Sequence, residues 1–395
     1  MAKKILLFSP PFSGHLNVLK KLALDHKNDF DFQFIITGWK NIDPELEGLD
    51  APVKIIAHSD LNETDPAVWT LPRVAELIDE CISFTKEINP DLIIYDFFSL
   101  EGNLVGKILN IPYYSSIPAL IGKFTHQNYL KTKLELSSNI KAIKEIQNKF
   151  PESIDIGEIE MISDGLHIPG QINFIWSYPS LTPPDFMTNR RQAIYKFVGN
   201  LNKTTTNNIV IDYNKKSLVY ISFGTVVMNN LWDQQVEMRD KFIEFIGKLA
   251  DLWKDKSFNV VFVSRGKTIL NKYPSNWHVV DYADQIAILS KASVFVTHAG
   301  GNSFHEAVIK HIPMIAIPFF GDQPLIAQQI ERLGFGVNLV SNSDIDTKKP
   351  KNFLDESLAH KVDETVKDIL NRLDEYKTRF TQTFLESENI LDLLR

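Results

Sequence analysis

The sequence predicts an α/β protein built from two doubly wound, Rossmann-like parallel sheets. Two observations carry this. Short runs rich in β-branched and aromatic residues alternate with longer stretches of helical period, the pattern of βαβ units whose strands are covered on both faces. The alternation is interrupted at Asn200-Leu-Asn-Lys-Thr-Thr-Thr-Asn-Asn208, which is polar and nearly devoid of apolar residues, and then it restarts. At 395 residues with 44% hydrophobic content there is material for two cores, since domains hold roughly 100 to 200 residues.

In the first half, strands are expected at Ile5–Ser9, Phe32–Thr37, Val53–His58, Leu92–Tyr95 and Pro112–Ser115, with helices near 16–25, 71–88, 100–109 and 126–149. The first strand follows Lys3-Lys4, which imitates the start of a secretory signal. Its apolar run of four residues ends at Ser9-Pro10-Pro11, too short for an h-region of roughly 7 to 15. The second half restarts with strands at Leu218–Phe223, Val260–Ser264, Val294–Thr297 and Met314–Pro318, again with helices between. The expected division is 1–203, 204–378 and a closing segment 379–395, whose stretch Phe380–Leu394 is helical in pattern.

Composition removes several function classes. The formal net charge of -7 comes without a long acidic or basic block, which argues against a nucleic-acid surface. The single cysteine, Cys81, excludes an internal disulfide and any cysteine-based metal cluster, and fits a cytoplasmic setting. No stretch approaches the roughly 18 to 20 apolar residues of a membrane span.

In doubly wound sheets, ligands bind beyond the carboxyl ends of the strands. That rule selects His15 after strand one, Asp96 after Leu92–Tyr95, Gly224-Thr225 after Leu218–Phe223, and His298 after Val294–Thr297. The pairs Asp29/Asp31 and Asp344/Asp346 imitate a metal-binding Asp-x-Asp, but the first precedes a strand and the second lies in a polar loop, so neither is expected to hold a catalytic metal.

The densest motif is Thr297-His-Ala-Gly-Gly-Asn-Ser-Phe-His-Glu306, followed by Pro318-Phe-Phe-Gly-Asp-Gln323. Without a metal, a departing diphosphate needs backbone N–H groups, hydroxyls and a helix dipole, and a helix N-terminus supplies roughly half a positive charge. Gly300-Gly301 before a helix starting near Asn302 would let the backbone approach phosphate, and His298 would add a hydrogen bond. Walker-type and Gly-x-Gly-x-x-Gly motifs are absent, so ATPase and nicotinamide dehydrogenase readings lose their support. Each residue has a plain structural alternative. Ser303-x-x-Glu306 reads as a capping box, Asp322 before Gln323-Pro324 as an N-cap, and His15 and His298 as satisfied histidines. Those alternatives do not explain the set.

The sequence resembles the family 1 nucleotide-sugar glycosyltransferases, particularly bacterial macrolide-type members, over essentially the whole chain and most specifically from about Val280 to Gly336. The resemblance implies the GT-B fold, two Rossmann-like domains facing across a cleft, with the closing helix crossing back to the first domain. It makes Tyr282 and Gln285, in Asp281-Tyr-Ala-Asp-Gln285, candidates for base contact; assigns His298, assisted by Asn302 and Ser303, to the diphosphate; gives Glu306 the ribose hydroxyls; and gives Asp322-Gln323 the sugar. Asp284 stands where many relatives carry proline, and Gly301 where plant members carry tryptophan. The resemblance also makes His15 the catalytic histidine and Asp96 its partner.

The chemistry of that pair stands independently. A neutral imidazole accepts the proton of an acceptor hydroxyl, and a carboxylate behind it fixes the tautomer. The expected reaction is a single displacement that inverts an α-linked donor, UDP-glucose favoured over a dTDP sugar, to a β-glycoside, with no metal and no cofactor. Phe12, Trp39, Trp69, Phe97, Phe98, Phe124 and Tyr129 are candidates for an aromatic acceptor pocket in the first domain, suited to a lipophilic natural product such as a polyketide, phenol or terpenoid alcohol. Three other readings stay open: a nucleotide-sugar epimerase or hydrolase, a catalytically silent sensor, and an α/β protein whose motifs are caps.

Overall fold

The computed structural model describes residues 2–38, 49–58, 66–118, 127–162, 165–184, 194–200, 216–233, 235–340 and 354–395; the side chains at 13, 66–69, 127–129 and 230 lie outside that description. Two compact units result, one of Met1–Leu201 with Leu385–Arg395, the other of Asn202–Phe384. Residues 201–215, which include most of the polar stretch, and Asp344 and Asp346 are outside the described residues.

In the first unit the strands are β1 (Lys3–Ser9), β2 (Phe30–Gly38), β3 (Val53–Ala57), β4 (Leu92–Asp96), β5 (Tyr113–Ile117), β6 (Glu160–Ile162), β7 (Gly165–His167), β8 (Ile172–Ile175) and β9 (Tyr195–Phe197). Seven of them form one sheet in the order β3-β2-β1-β4-β5-β8-β9, parallel throughout. β1 shows why it is buried on both sides: Ile5 and Leu7 enter one apolar cluster, and Leu6 and Phe8 the other. Alternate side chains point to opposite faces, so a continuous apolar run is what a doubly covered strand requires.

The second unit repeats the plan. Its strands are β10 (Leu218–Ser222), β11 (Asn259–Val263), β12 (Trp277–Val280), β13 (Val294–Thr297), β14 (Met314–Ala316) and β15 (Gly336–Asn338). They are ordered β12-β11-β10-β13-β14-β15 and all parallel. In both sheets the first strand lies beside the fourth, so chain direction across the sheet reverses there and leaves a crevice beyond the strand ends. β1/β4 and β10/β13 are those pairs.

Several elements differ from the sequence reading. The helix expected over 126–149 is two, Gln127–Leu134 and Ser137–Lys149, because Leu136 is extended. The stretch 380–394 is helical only up to Thr381 and again over Ile390–Leu394. That last turn belongs to the first unit, where Ile390 and Leu394 join the cluster of Leu16, Leu19 and Trp176. The β6–β7 hairpin, β8, β12 and β15 are short and were not anticipated.

Candidate active site

His15 lies in the first turn of the helix Ser13–Asp25, immediately beyond β1, and Asp96 is the last residue of β4. The register pairs Phe8 with Tyr95, which brings both to one end of the sheet despite 81 residues of separation. His15 Nδ1 lies 2.9 Å from Asp96 Oδ2 and 3.0 Å from Oδ1. Asp96 is completely buried while the His15 side chain is 19% exposed. Asp96 Oδ1 also accepts the Phe98 amide at 2.9 Å. An Nδ1–H donated to the carboxylate leaves Nε2 as the basic nitrogen.

Phe97 and Phe98, expected to line an acceptor pocket, flank the His15 ring. Both are buried and join a core cluster with Ile117, Ile162, Ile175, Tyr195 and Phe197. Their rings hold His15: Phe98 stacks on it at 4.8 Å and Phe97 approaches at 5.3 Å. Phe12 meets it edge-on at 6.0 Å. Gly165 admits this packing, since a Cβ there would come within 2.1 Å of Phe98 Cε1. Trp39 and Phe124, and the side chains of Trp69 and Tyr129, lie outside the described residues.

In the second unit, β10 ends at Ser222 and β13 at Thr297, paired in register. A helix starts directly beyond each, Gly224–Asp233 and Gly301–Ile309, so two sets of unpaired helix N–H groups begin at the switch point. The His298 ring is wedged against both turns. A Cβ on Gly224 would lie 2.8 Å from His298 Cε1 and one on Gly300 2.4 Å from Nε2. Gly300, expected to bring backbone to phosphate, makes room for this ring. Burial pushes the His298 imidazolium down to about 4, and the Arg265 cation acts in the same direction. The ring is therefore neutral, and its buried Nδ1 has no hydrogen-bond partner among the described residues.

A second group lies close by in sequence. Tyr220 Oη donates to Gln285 Oε1 at 3.2 Å, and Gln285 Nε2 donates to Ser303 Oγ at 3.0 Å and to Glu306 Oε2 at 2.6 Å. The capping-box reading of Ser303 and Glu306 is overturned, because the N-cap is Gly300 and the Glu306 carboxylate is held by Gln285. Asp284 caps the helix Gln285–Leu289 through the Ala287 amide at 3.0 Å. Tyr282 is 72% exposed, with the Arg265 guanidinium 5.3 Å from its ring centre.

Asp322 is the N-cap position of Gln323–Arg332 without a side-chain capping bond. Gln323 is buried, its Oε1 accepting from Phe319 N at 2.8 Å and Phe320 N at 3.2 Å. Thr225, Gly301 and Asn302 stand in the first turns of the two switch-point helices. Arg265 was missed by the sequence reading. It follows β11 in a left-handed backbone, φ 55°, next to Gly266 at φ 72°, and the strand-end rule applied to Val260–Ser264 would have found it. Among the described residues no group of three His, Cys, Asp or Glu side chains is arranged to hold a metal, and no helix is long and apolar enough to cross a membrane.

Two parallel sheets of Rossmann order, each carrying polar side chains at its switch point, have the architecture of the GT-B fold. Residues 197–362 match the family model described as UDP-glucoronosyl and UDP-glucosyl transferase. It is 28% identical over 311 residues to the NDP-glycosyltransferase YjiC of Bacillus subtilis (strain 168), covering 76% of this chain and 70% of that relative. Solved structures share the fold: the calicheamicin glycosyltransferase CalG4 aligns with a TM-score of 0.70 at 15% identity over 97% of this chain and 95% of that one. The spinosyn rhamnosyltransferase SpnG complexed with thymidine diphosphate aligns at 0.66 with 14% identity over 99% of both.

Proposed function

We propose that this enzyme is an inverting, metal-independent hexosyltransferase that moves a sugar, with UDP-glucose the favoured donor over a dTDP sugar, to the hydroxyl of a lipophilic natural product. The observation that carries the reading is the 2.9 Å contact of His15 Nδ1 with Asp96 at the switch point of the first sheet. With Nδ1–H held by the carboxylate, His15 Nε2 takes the proton of the acceptor hydroxyl as its oxygen attacks the anomeric carbon. The C–O bond to the nucleotide diphosphate breaks from the opposite face, and the buried Asp96 balances the imidazolium that forms.

The donor side is assigned to the second unit. The helix starts at Gly224 and Gly301 and the neutral His298 donate hydrogen bonds to the diphosphate, Thr225, Asn302 and Ser303 flank it, Glu306 holds the ribose, and Tyr282 with Gln285 holds the base. Asp322 and Gln323 are assigned to the sugar hydroxyls. The apolar rings around His15 support a lipophilic acceptor, with Phe12 the described residue best placed to touch it.

Turnover assays with UDP-glucose and dTDP-glucose against a panel of phenols, polyketides and terpenoid alcohols test the reading. His15→Ala is expected to lose about 10²- to 10⁴-fold in kcat, the usual worth of a general base, with donor binding nearly intact; a chelator leaves the wild-type rate unchanged. Undiminished transfer by His15→Ala overturns the base assignment. Sugar release or epimerisation without an acceptor would favour a donor-only activity.

A further inference from the structure

Arg73 and Glu101 are a buried ion pair that the chemistry above does not use. Arg73 is 1% exposed and Glu101 fully enclosed; Arg73 Nε donates to Glu101 Oε1 at 2.7 Å and Nη2 to Oε2 at 3.2 Å. A buried pair of this kind contributes little net stability, because its desolvation cost offsets its Coulomb gain. Its presence calls for what it fixes. Arg73 Nη2 also donates to the main-chain carbonyl of Phe98. The same residue gives its amide to Asp96 Oδ1 at 2.9 Å and stacks its ring on His15 at 4.8 Å.

We propose that Arg73 and Glu101 are positioning residues for the His15–Asp96 pair, clamping the Phe97-Phe98 turn so that the Phe98 amide and ring hold both members of the pair in reacting geometry. This inference rests on His15 being the base. Three elements converge in the clamp: the helix Pro66–Ile88 supplies Arg73, the helix Glu101–Leu109 opens with Glu101, and the turn from β4 to that second helix supplies Phe98. Only a guanidinium fits the task. Its planar fork serves a carboxylate with two N–H groups while an N–H reaches a carbonyl in a different direction, which the point charge of lysine cannot reproduce. The Phe98 ring packs against Gly165, where a Cβ would lie 2.1 Å from its Cε1.

The test is the double variant Arg73→Met/Glu101→Leu, which removes both charges together and leaves no unpaired ion. It is expected to keep the wild-type melting behaviour and donor KM, since the assigned donor residues lie in the other unit, and to lose about tenfold to 100-fold in kcat, the scale of a misplacement near 1 Å. The strongly downfield proton resonance of His15 Nδ1–H bonded to a carboxylate is expected to move or broaden in the same variant. Should the double variant not fold, Arg73→Lys, which keeps the charges and loses the fork, is expected to show a smaller kcat loss at unchanged donor KM. Wild-type kcat and an unmoved resonance in a folded variant overturn the positioning role. A turnover-competent His15→Ala overturns instead the base assignment beneath it, so the two failures are distinguishable.

Discussion

A Cβ placed on Gly300 would sit 2.4 Å from His298 Nε2, and one on Gly224 2.8 Å from Cε1, the latter at a backbone φ of 72°. Both separations are too short for any real side chain, and the ring sits between them, so a side chain at either position displaces it. Gly300→Ala is therefore expected to weaken nucleoside diphosphate binding about tenfold or more, equivalent to about 1.4 kcal/mol, with a small change in melting temperature. Gly224→Ala adds the cost of a left-handed alanine, on the order of 1 kcal/mol, so it should lower melting as well as affinity. Calorimetric titration with UDP checks both; unchanged affinity in the two variants would separate His298 from the diphosphate. At this scale the sequence was most legible where a residue type has one use. His298 next to the Gly300-Gly301 pair could be read as a site, whereas the contact of Gly300 with the histidine ring depends on a rotamer that no spacing reveals.

Elements were legible in proportion to how far local pattern decides them. β1, β4, β10 and β13 are buried runs bounded by turn residues, and the sequence reading placed each within about two residues. The break at Leu136 inside the expected helix 126–149 escaped because nothing there is a helix breaker; the residue is simply extended. Strands of three residues such as β6 and β7 carry no periodicity at all, yet Gly165 in that hairpin is what lets Phe97 and Phe98 pack. The turn Ile390–Leu394 is a further case, since five residues cannot hold a helix alone. Its place comes from burial of Ile390 and Leu394, from Lys3 Nζ donating to the Leu394 carbonyl at 2.8 Å, and from the Glu388 amide on the Phe197 carbonyl at 2.7 Å. Leu394→Ala is expected to cost the first unit about 2–5 kcal/mol while leaving UDP affinity in the second unit unchanged. Chemical denaturation alongside UDP titration reads the two effects separately, and a matching loss of affinity would overturn the separation.

At the scale of the whole molecule, acid should act through the second unit. Burial pushes His298 and His305 down to about 4, and for His305 the contact of Nδ1 with the Gly301 carbonyl at 2.7 Å only partly opposes this. In the unfolded chain both take up protons near the ordinary value of about 6.5. Between these limits the unfolded state binds protons that the folded state refuses, so stability is full above pH 6.5, drains as pH falls toward 4, and is not drained further by these groups below that. The loss approaches roughly 3 kcal/mol for each histidine, a large share of an ordinary folding free energy of about 5–15 kcal/mol. A bound diphosphate should blunt the His298 part, because an anion beside the ring favours the imidazolium and raises its pKa. Scanning calorimetry of the full chain from pH 7.5 to 4.5, with and without UDP, is expected to show a transition that moves down on acidification and moves less when UDP is present. A pH-independent transition would mean that the two rings are not held in a dry interior, and equal acid sensitivity with and without UDP would mean that the nucleotide binds away from His298.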